Sequence, residues 1–314
     1  MRAFVKVPAT SANLGPGFDA LGLALDLWNE TEFCLAGSFS LHIEGEGSNR
    51  LAINEKNLIV LSARKLYESV NKRMPALNIR CINHIPLSSG LGSSAAAILT
   101  GLLGANALLG SPVFNEEILN LAVEIEGHPD NVAPALLGGL VASTMEEGKV
   151  IAHRLTVGSE SMSSQGDHAG SPLHLTVVLP EFNLSTRQAR AVLPDQVPMK
   201  DAVQNISRAV LLTEAFRTGN LALLGRAMSD RLHQPYRVPL IPGAQEAMDA
   251  AKQAGAAAVA LSGAGPSLIA FSANRNASIG AAMTRVFESV GLMTRIFELE
   301  VTQKGAQIDI DMSS

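Results

Sequence analysis

From its first residues the chain alternates polar and apolar side chains with the two-residue period of strands. FVKVPATSANL, WNETEFCLAG and FSLHIEG are short runs of this kind, separated by Gly and Pro, and predict a strand-rich opening. The period lengthens at Asn57. In NLIVLSARKLYESV, Leu58, Leu61, Leu66 and Val70 recur near one face of a helix, and NIRCINHIP after it returns to strand alternation. That strand runs into PLSSGLGSSAA, Pro86 to Ala96, and on into an uncharged apolar run, Ala95 to Leu109, that reads as a buried helix. NEEILNLAVEIEG is a further helix, stopping at Gly127, and HPDNVAPALLGGLVAST reads as a loop followed by an apolar strand.

Between Thr156 and Pro172 the segment TVGSESMSSQGDHAGSP is small, polar and aperiodic. It predicts a linker or long exposed hairpin, dividing the chain into domains at 1–158 and 170–314. Beyond it HLTVVLP is a strand, and MKDAVQNISRAVLLTEAFRTG, NLALLGRAMSD and GAQEAMDAAKQAG are helices, the last closed by Gly255. AAAVALSGAGPSLIAFS reads as strand, tight glycine loop and strand, and ASIGAAMTRVFESVG with LMTRIFELEV as helix and strand. The pattern predicts an α+β sandwich.

Composition narrows the function. A chain of 314 residues, 47% of them hydrophobic, has material for two domains with a buried core. The net charge of -5, with no long Lys/Arg run, argues against a nucleic-acid partner. Cys34 and Cys81, far apart and in no C-x-x-C pattern, read as reduced thiols of a cytoplasmic protein. MRAFVKVPATSANLG lacks the apolar core of a signal peptide. No charge occurs between His84 and Glu116, yet serines and glycines break that stretch, and what remains is too short to span a membrane.

The loop Pro86 to Ala96 holds the candidate chemistry. Small residues let a backbone approach a ligand, and glycines with positive φ aim successive N–H groups into one concavity that holds anions. Ser93 or Ser94 as cap of the following helix would add that helix's positive end. The Walker pattern is not met, because no lysine follows the glycines, so a divalent metal is needed for the missing charge. Magnesium takes few ligands from a protein, and one hydroxyl with one carboxylate suffices. A dinucleotide loop is the weaker reading, since no ribose-binding acid follows at the usual distance. Ser62 to Lys65 forms an S-x-x-K without its partner motifs, and neither G-x-S-x-G nor H-E-x-x-H occurs.

PLSSGLGSSAA resembles the phosphate-binding motif of the GHMP kinases. VPATSANLGPGFDALGLAL and HPDNVAPALLGGL resemble motifs of the homoserine kinases within that family, and LSGAGPSLIAF resembles the family's third, glycine-rich motif. The resemblance runs from about Arg2 to about Glu300. It implies a two-domain fold, with an N-terminal ribosomal-protein-S5-like β-α-β domain and a C-terminal ferredoxin-like α/β sandwich. It implies transfer of phosphoryl from ATP to the side-chain hydroxyl of L-homoserine. ATP is then expected on Pro86, Leu87, Ser88, Ser89, Gly90, Leu91, Gly92, Ser93, Ser94, Ala95 and Ala96. Mg2+ is expected on Glu126 with Ser94 or Ser93, Glu124 being the alternative carboxylate. The substrate ammonium matches Asp19, its carboxylate Arg190 and Arg237, and Asn13, His128 and Asn131 match further contacts. Asn131 is expected to orient the hydroxyl, with Asp130 as the rival base, because an amide takes no proton at neutral pH. Asn57 and Leu58 are placed to reach the adenine. A homodimer is expected. Two alternatives stay open: a GHMP kinase acting on another alcohol, and a catalytically silent nucleotide-binding relative.

Overall fold

The opening alternation resolves into two long antiparallel strands, β1 (Arg2–Ala12) and β2 (Leu21–Leu35), followed by β3 (Ser40–Gly45). The computed structural model describes residues 1–157 and 173–312. After β3 come α1 (Leu58–Ser69), β4 (Leu77–Asn83), α2 (Ser93–Leu108), α3 (Asn115–Glu126), α4 (Pro129–Leu137), β5 (Leu140–Glu146) and β6 (Lys149–Leu155). The expected linker, Thr156 to Pro172, lies outside the described residues from 158 onward.

The rest of the chain forms β7 (His174–Pro180), α5 (Thr186–Ala191), α6 (Met199–Thr218), α7 (Leu221–Ala227), α8 (Gln234–Arg237) and α9 (Ala244–Gln253). It ends in β8 (Ala258–Leu261), β9 (Leu268–Ser272), α10 (Ala277–Ser289), β10 (Thr294–Glu300) and β11 (Gln307–Asp311). A seven-stranded sheet has the order β11-β1-β2-β4-β3 with β5 and β6 attached through β2, and a second sheet has the order β10-β7-β9-β8. The α+β class with two sheets is therefore as expected. The last strand returns to β1, so the end of the chain completes the first sheet.

A break in β2 makes room for the loop. The register of β1 against β2 shifts between Pro8 and Ala9, where proline has no N–H to give the ladder. On one side of the break β2 pairs with β4, on the other with β5. At the end of β4 the Asn29 side chain accepts the N–H groups of His84 (2.8 Å) and Ile85 (3.0 Å) and turns the chain out of the sheet toward α2.

α2 is buried nearly all round, as its uncharged and mostly apolar sequence requires. The buried face of α1 differs from the one expected. Ile59, Val60, Ala63 and Leu66 pack inward while Leu61 is 44% exposed, because α1 closes on Gly101 of α2, where a side chain would strike the Ile59 carbonyl. HPDNVAPALLGGLVAST also corrects its reading, since α4 occupies most of the expected loop. Pro129 sits at the first helical position, where a missing N–H costs nothing, and α4 tolerates Pro134 within its short span. One core joins both sheets, with Leu23, Phe33 and Leu99 alongside Val177, Phe216 and Phe271, and a smaller one lies beneath α9 and α10.

Candidate active site

A cleft of about 530 Å³ runs between the loop after β4, the first turn of α4 and the loop joining β8 to β9. A larger groove of about 1030 Å³ lies between α7 and α9, and none of the sequence-derived site residues lines it. The cleft contains nearly all of them, and its chemistry decides between the two.

The phosphate loop is shaped by three positive φ angles, at Ser88 (52°), Gly90 (81°) and Gly92 (71°). α2 begins at Ser93, and its cap is Gly92 in the left-handed region, with no side-chain cap bond. The expected serine cap is therefore absent: both serines lie inside the first turn, past the position from which a hydroxyl caps. Among the described residues, the amides of Gly92, Ser93, Ser94 and Ala95 make no hydrogen bond, the first closing bond being Ala96 N–H to Gly92 O (2.9 Å). These unpaired donors sit at the positive end of a long buried helix. Leu87 to Gly90 and Gly92 to Ser94 line the cleft; Pro86, Leu91, Ala95 and Ala96 are buried beneath it.

The loop is held from outside its own sequence. Ser267 donates its N–H to Ser89 O (3.2 Å), Thr10 donates its N–H to Leu91 O (3.1 Å), and the Ser262 hydroxyl lies 2.8 Å from Gly90 O. A Cβ on Gly90 would run into the Ser262 carbonyl. Thr10, Ser262 and Ser267 were not predicted, although all three lie in segments that carry the family resemblance.

Ser94 donates its hydroxyl to Glu126 Oε2 at 2.7 Å, and both line the cleft. Glu124 instead takes Lys65 Nζ at 2.7 Å on the exposed surface and does not reach the cleft. A hydroxyl and a carboxylate side by side, both oxygen donors, fit a hard divalent cation.

Beyond the loop lies the end of the cleft that the family resemblance matches to the acceptor. His128 is the cap residue of α4, and its Nδ1 lies 2.6 Å from the Oδ1 of Asp130, which is 1% exposed. Burial would lower the imidazole pKa, but the hydrogen bond and charge of Asp130, with Glu126 beyond, outweigh it and hold the group above its ordinary value. Asn131 accepts a hydrogen bond from Thr10 at 2.9 Å. Asp19 and Arg190, 171 residues apart, form a two-pronged ion pair at 2.8 and 2.9 Å. That bond raises the Arg190 pKa further.

Arg237 is 1% exposed, donates Nε–H to Ala189 O at 3.0 Å, and leaves Nη1 buried without a partner among the described residues. Burial first, and Arg190 second, pull its pKa below the ordinary value. Phe18 supports both arginines, with Arg237 4.9 Å and Arg190 5.8 Å from its ring centroid, and stacks on the buried His233. Asn13 lines the cleft, but both ends of its amide are engaged, donating to Gly263 O (2.8 Å) and accepting from Asp19 N–H (3.0 Å).

At the opposite end Asn57 caps α1 through Ile59 N–H (3.0 Å), and with Leu58, Ile43, Leu51 and Leu87 it walls an apolar slot.

The chain is similar to known proteins along nearly its whole length. Residues 57–139 match the family model described as GHMP kinases N terminal domain, and residues 212–289 the one described as GHMP kinases C terminal. The chain is 46% identical over 305 residues to a homoserine kinase of Moorella thermoacetica, covering 97% of this chain and 99% of that one. It is 41% identical over 303 residues to one of Carboxydothermus hydrogenoformans, covering 96% and 95%. A crystal structure of homoserine kinase from Cytophaga hutchinsonii superposes with a TM-score of 0.85 at 31% identity over 98% of this chain and 97% of that one. The L. major mevalonate kinase in complex with R-mevalonate shares the fold, with a TM-score of 0.69 at 15% identity over 96% of each chain. With near-full-length relatives at this identity and both family models matched, the chain belongs to the homoserine kinases of the GHMP kinase family.

Proposed function

We propose that this chain transfers the γ-phosphoryl group of magnesium-bound ATP to the side-chain hydroxyl of L-homoserine, giving O-phospho-L-homoserine. The observation that carries the acceptor assignment is the internal Asp19–Arg190 pair beside the half-satisfied, buried Arg237. An amino-acid zwitterion offers an ammonium to Asp19 and a carboxylate to the two guanidinium groups, exchanging one internal ion pair for two with the ligand. Neutral sugars and mevalonate lack that ammonium. Ser94 and Glu126 are the residues that would hold Mg2+, which when bound neutralises charge on the phosphates.

The reading is supported by one cleft lined by the apolar slot, for the base, by the free amides, for the phosphates, and by His128, Asp130 and Asn131, for the acceptor. The new O–P bond forms as the bond to the ADP oxygen breaks, and alignment with charge neutralisation supplies most of the acceleration. Asn131 orients the hydroxyl, whose proton leaves late to the transferred phosphoryl group. Asp130, buried and held by His128, orients that imidazole toward the substrate. Were Asp130→Asn to abolish turnover with homoserine binding and folding intact, Asp130 would be the base.

The decisive assay couples ADP release to each of homoserine, mevalonate, shikimate and galactose. Turnover with homoserine alone is expected; turnover with another alcohol, or with none, overturns the assignment. Two free thiols, Cys34 and the buried Cys81, support a cytoplasmic location. A homodimer is supported by the exposed stripe Met199, Val203, Ile206 and Val210 on α6, and sedimentation of the full chain tests it.

A further inference from the structure

Thr10 stands between the two ends of the cleft without lining it. It is wholly buried on β1, its N–H donates to Leu91 O at 3.1 Å, and its hydroxyl donates to Asn131 Oδ1 at 2.9 Å. A Cβ on Gly92 would land on the Thr10 hydroxyl and come within 3.3 Å of Asn131 Oδ1. The glycine that caps α2 is thus the neighbour that leaves room for this bond. One residue holds the phosphate loop by its main chain and the acceptor-end amide by its side chain.

A primary amide has one acceptor atom and one NH2 donor group. With Oδ1 directed at the Thr10 hydroxyl, the NH2 on the other side of the amide is the donor Asn131 offers to the cleft it lines. We infer that Thr10 is a positioning residue for phosphoryl transfer. Its hydroxyl fixes Asn131 with the NH2 turned toward the acceptor oxygen, and its N–H ties that amide to the loop carrying the phosphates. This rests on the proposed role of Asn131 at the acceptor hydroxyl. Threonine suits the task because branching at Cβ stiffens χ1. Valine would fill the same volume while leaving the Asn131 oxygen buried and unpaired.

The test is steady-state kinetics of the full chain with ATP and homoserine for Thr10→Val, Thr10→Ala and Thr10→Ser, with thermal unfolding of each. Loss of the hydroxyl should lower kcat by about 10- to 100-fold in Val and Ala alike, with the KM for ATP held within about threefold. Thr10→Ser should restore kcat to within about threefold of wild type, on the same principle. A residue that only packs would instead rank the variants by volume, Val near wild type and Ala worst, and that ranking overturns the inference. Should Thr10→Val fail to fold, the contrast of Ser with Ala makes the same discrimination. In an Asn131→Ala background Thr10→Val should cost no further kcat, and an additive loss overturns the inference. Wild-type turnover of homoserine is read in the same assay. Its absence defeats the proposed acceptor, whereas normal turnover by Thr10→Val defeats only the role of Thr10.

Discussion

At the proposed nucleotide end of the cleft the donors are main-chain amides from one short stretch, Gly92 to Ser94, whereas at the proposed acceptor end the polar groups are side chains drawn from β1, the β1–β2 loop, α4, α5 and α8. The amides of the first end carry no formal charge and are unpaired among the described residues. The second is charged, and its groups bind one another: Asp19 to Arg190, His128 to Asp130, Thr10 to Asn131. A backbone site needs only a shape and a helix behind it, so identity is demanded of its glycines and little of its other side chains. A side-chain site must be desolvated and held in register by distant segments, so each member is individually costly to lose.

The largest test of that contrast is at Arg237. Arg237→Ala should lower kcat/KM for homoserine by about 100- to 1000-fold, as expected for removal of one partner of a buried charge pair, with the KM for ATP changed by less than about threefold. Initial-rate measurements varying each substrate separate the two. Equal losses for both would mean that Arg237 serves the fold or the phosphates.

Next comes the junction between the ends. Glu126→Gln keeps the size of the side chain but removes the charge facing the Ser94 hydroxyl, and should lower kcat by about 100-fold, partly restored by raised magnesium. Glu124→Gln, whose partner is Lys65 on the surface, should leave kcat within about twofold, as for an exposed pair. A magnesium titration of both variants checks this, and a reversal of the two would move the metal to the other carboxylate.

Gly92→Ala probes the nucleotide end through the fold. Its φ of 71° is strained for a side chain, and the new methyl would meet the Thr10 hydroxyl, so the variant should lose about 2–4 kcal/mol of stability in urea denaturation. Reduced nucleotide affinity with unchanged stability would show instead that the glycine is needed only where the phosphate approaches.

This division also governs what could be read from the chain. The phosphate loop was legible because its chemistry is local: PLSSGLGSSAA carries its own turns and abuts its own helix. Its support was not, since Ser262, Ser267 and Thr10 reach it from far along the chain. Among acceptor residues, the resemblance supplied identities but not pairings. That Asp19 and Arg190 would close on each other follows from packing of the β1–β2 loop against α5, which no periodicity encodes. α4 differs from the expected loop, since Pro129 stands where a helix has no use for an N–H. KVIAHRL, which became β6, carries only a weak alternation, whereas QIDID, which became β11, alternates strictly but over only five residues. The two candidate metal carboxylates part at the end of α3: Glu126 is its last residue and accepts from Ser94 of α2, while Glu124 accepts from Lys65 of α1.

The smallest predicted effect is the sharpest statement of the contrast. Ser93 lines the cleft at the first helical position, where a hydroxyl in a conventional anion site would be credited with binding. Here its amide is free and points with those of Gly92, Ser94 and Ala95, while its side chain makes no hydrogen bond among the described residues. Ser93→Ala keeps the amide, raises helix propensity slightly and removes only the hydroxyl. The KM for ATP should stay within about threefold of wild type and kcat within about twofold, while Ser94→Ala, which strips the group facing Glu126, should lower kcat by about tenfold or more. If Ser93→Ala were instead the more damaging of the two, the phosphates would be held by side chains after all. The nucleotide end would then differ from the acceptor end in degree and not in kind.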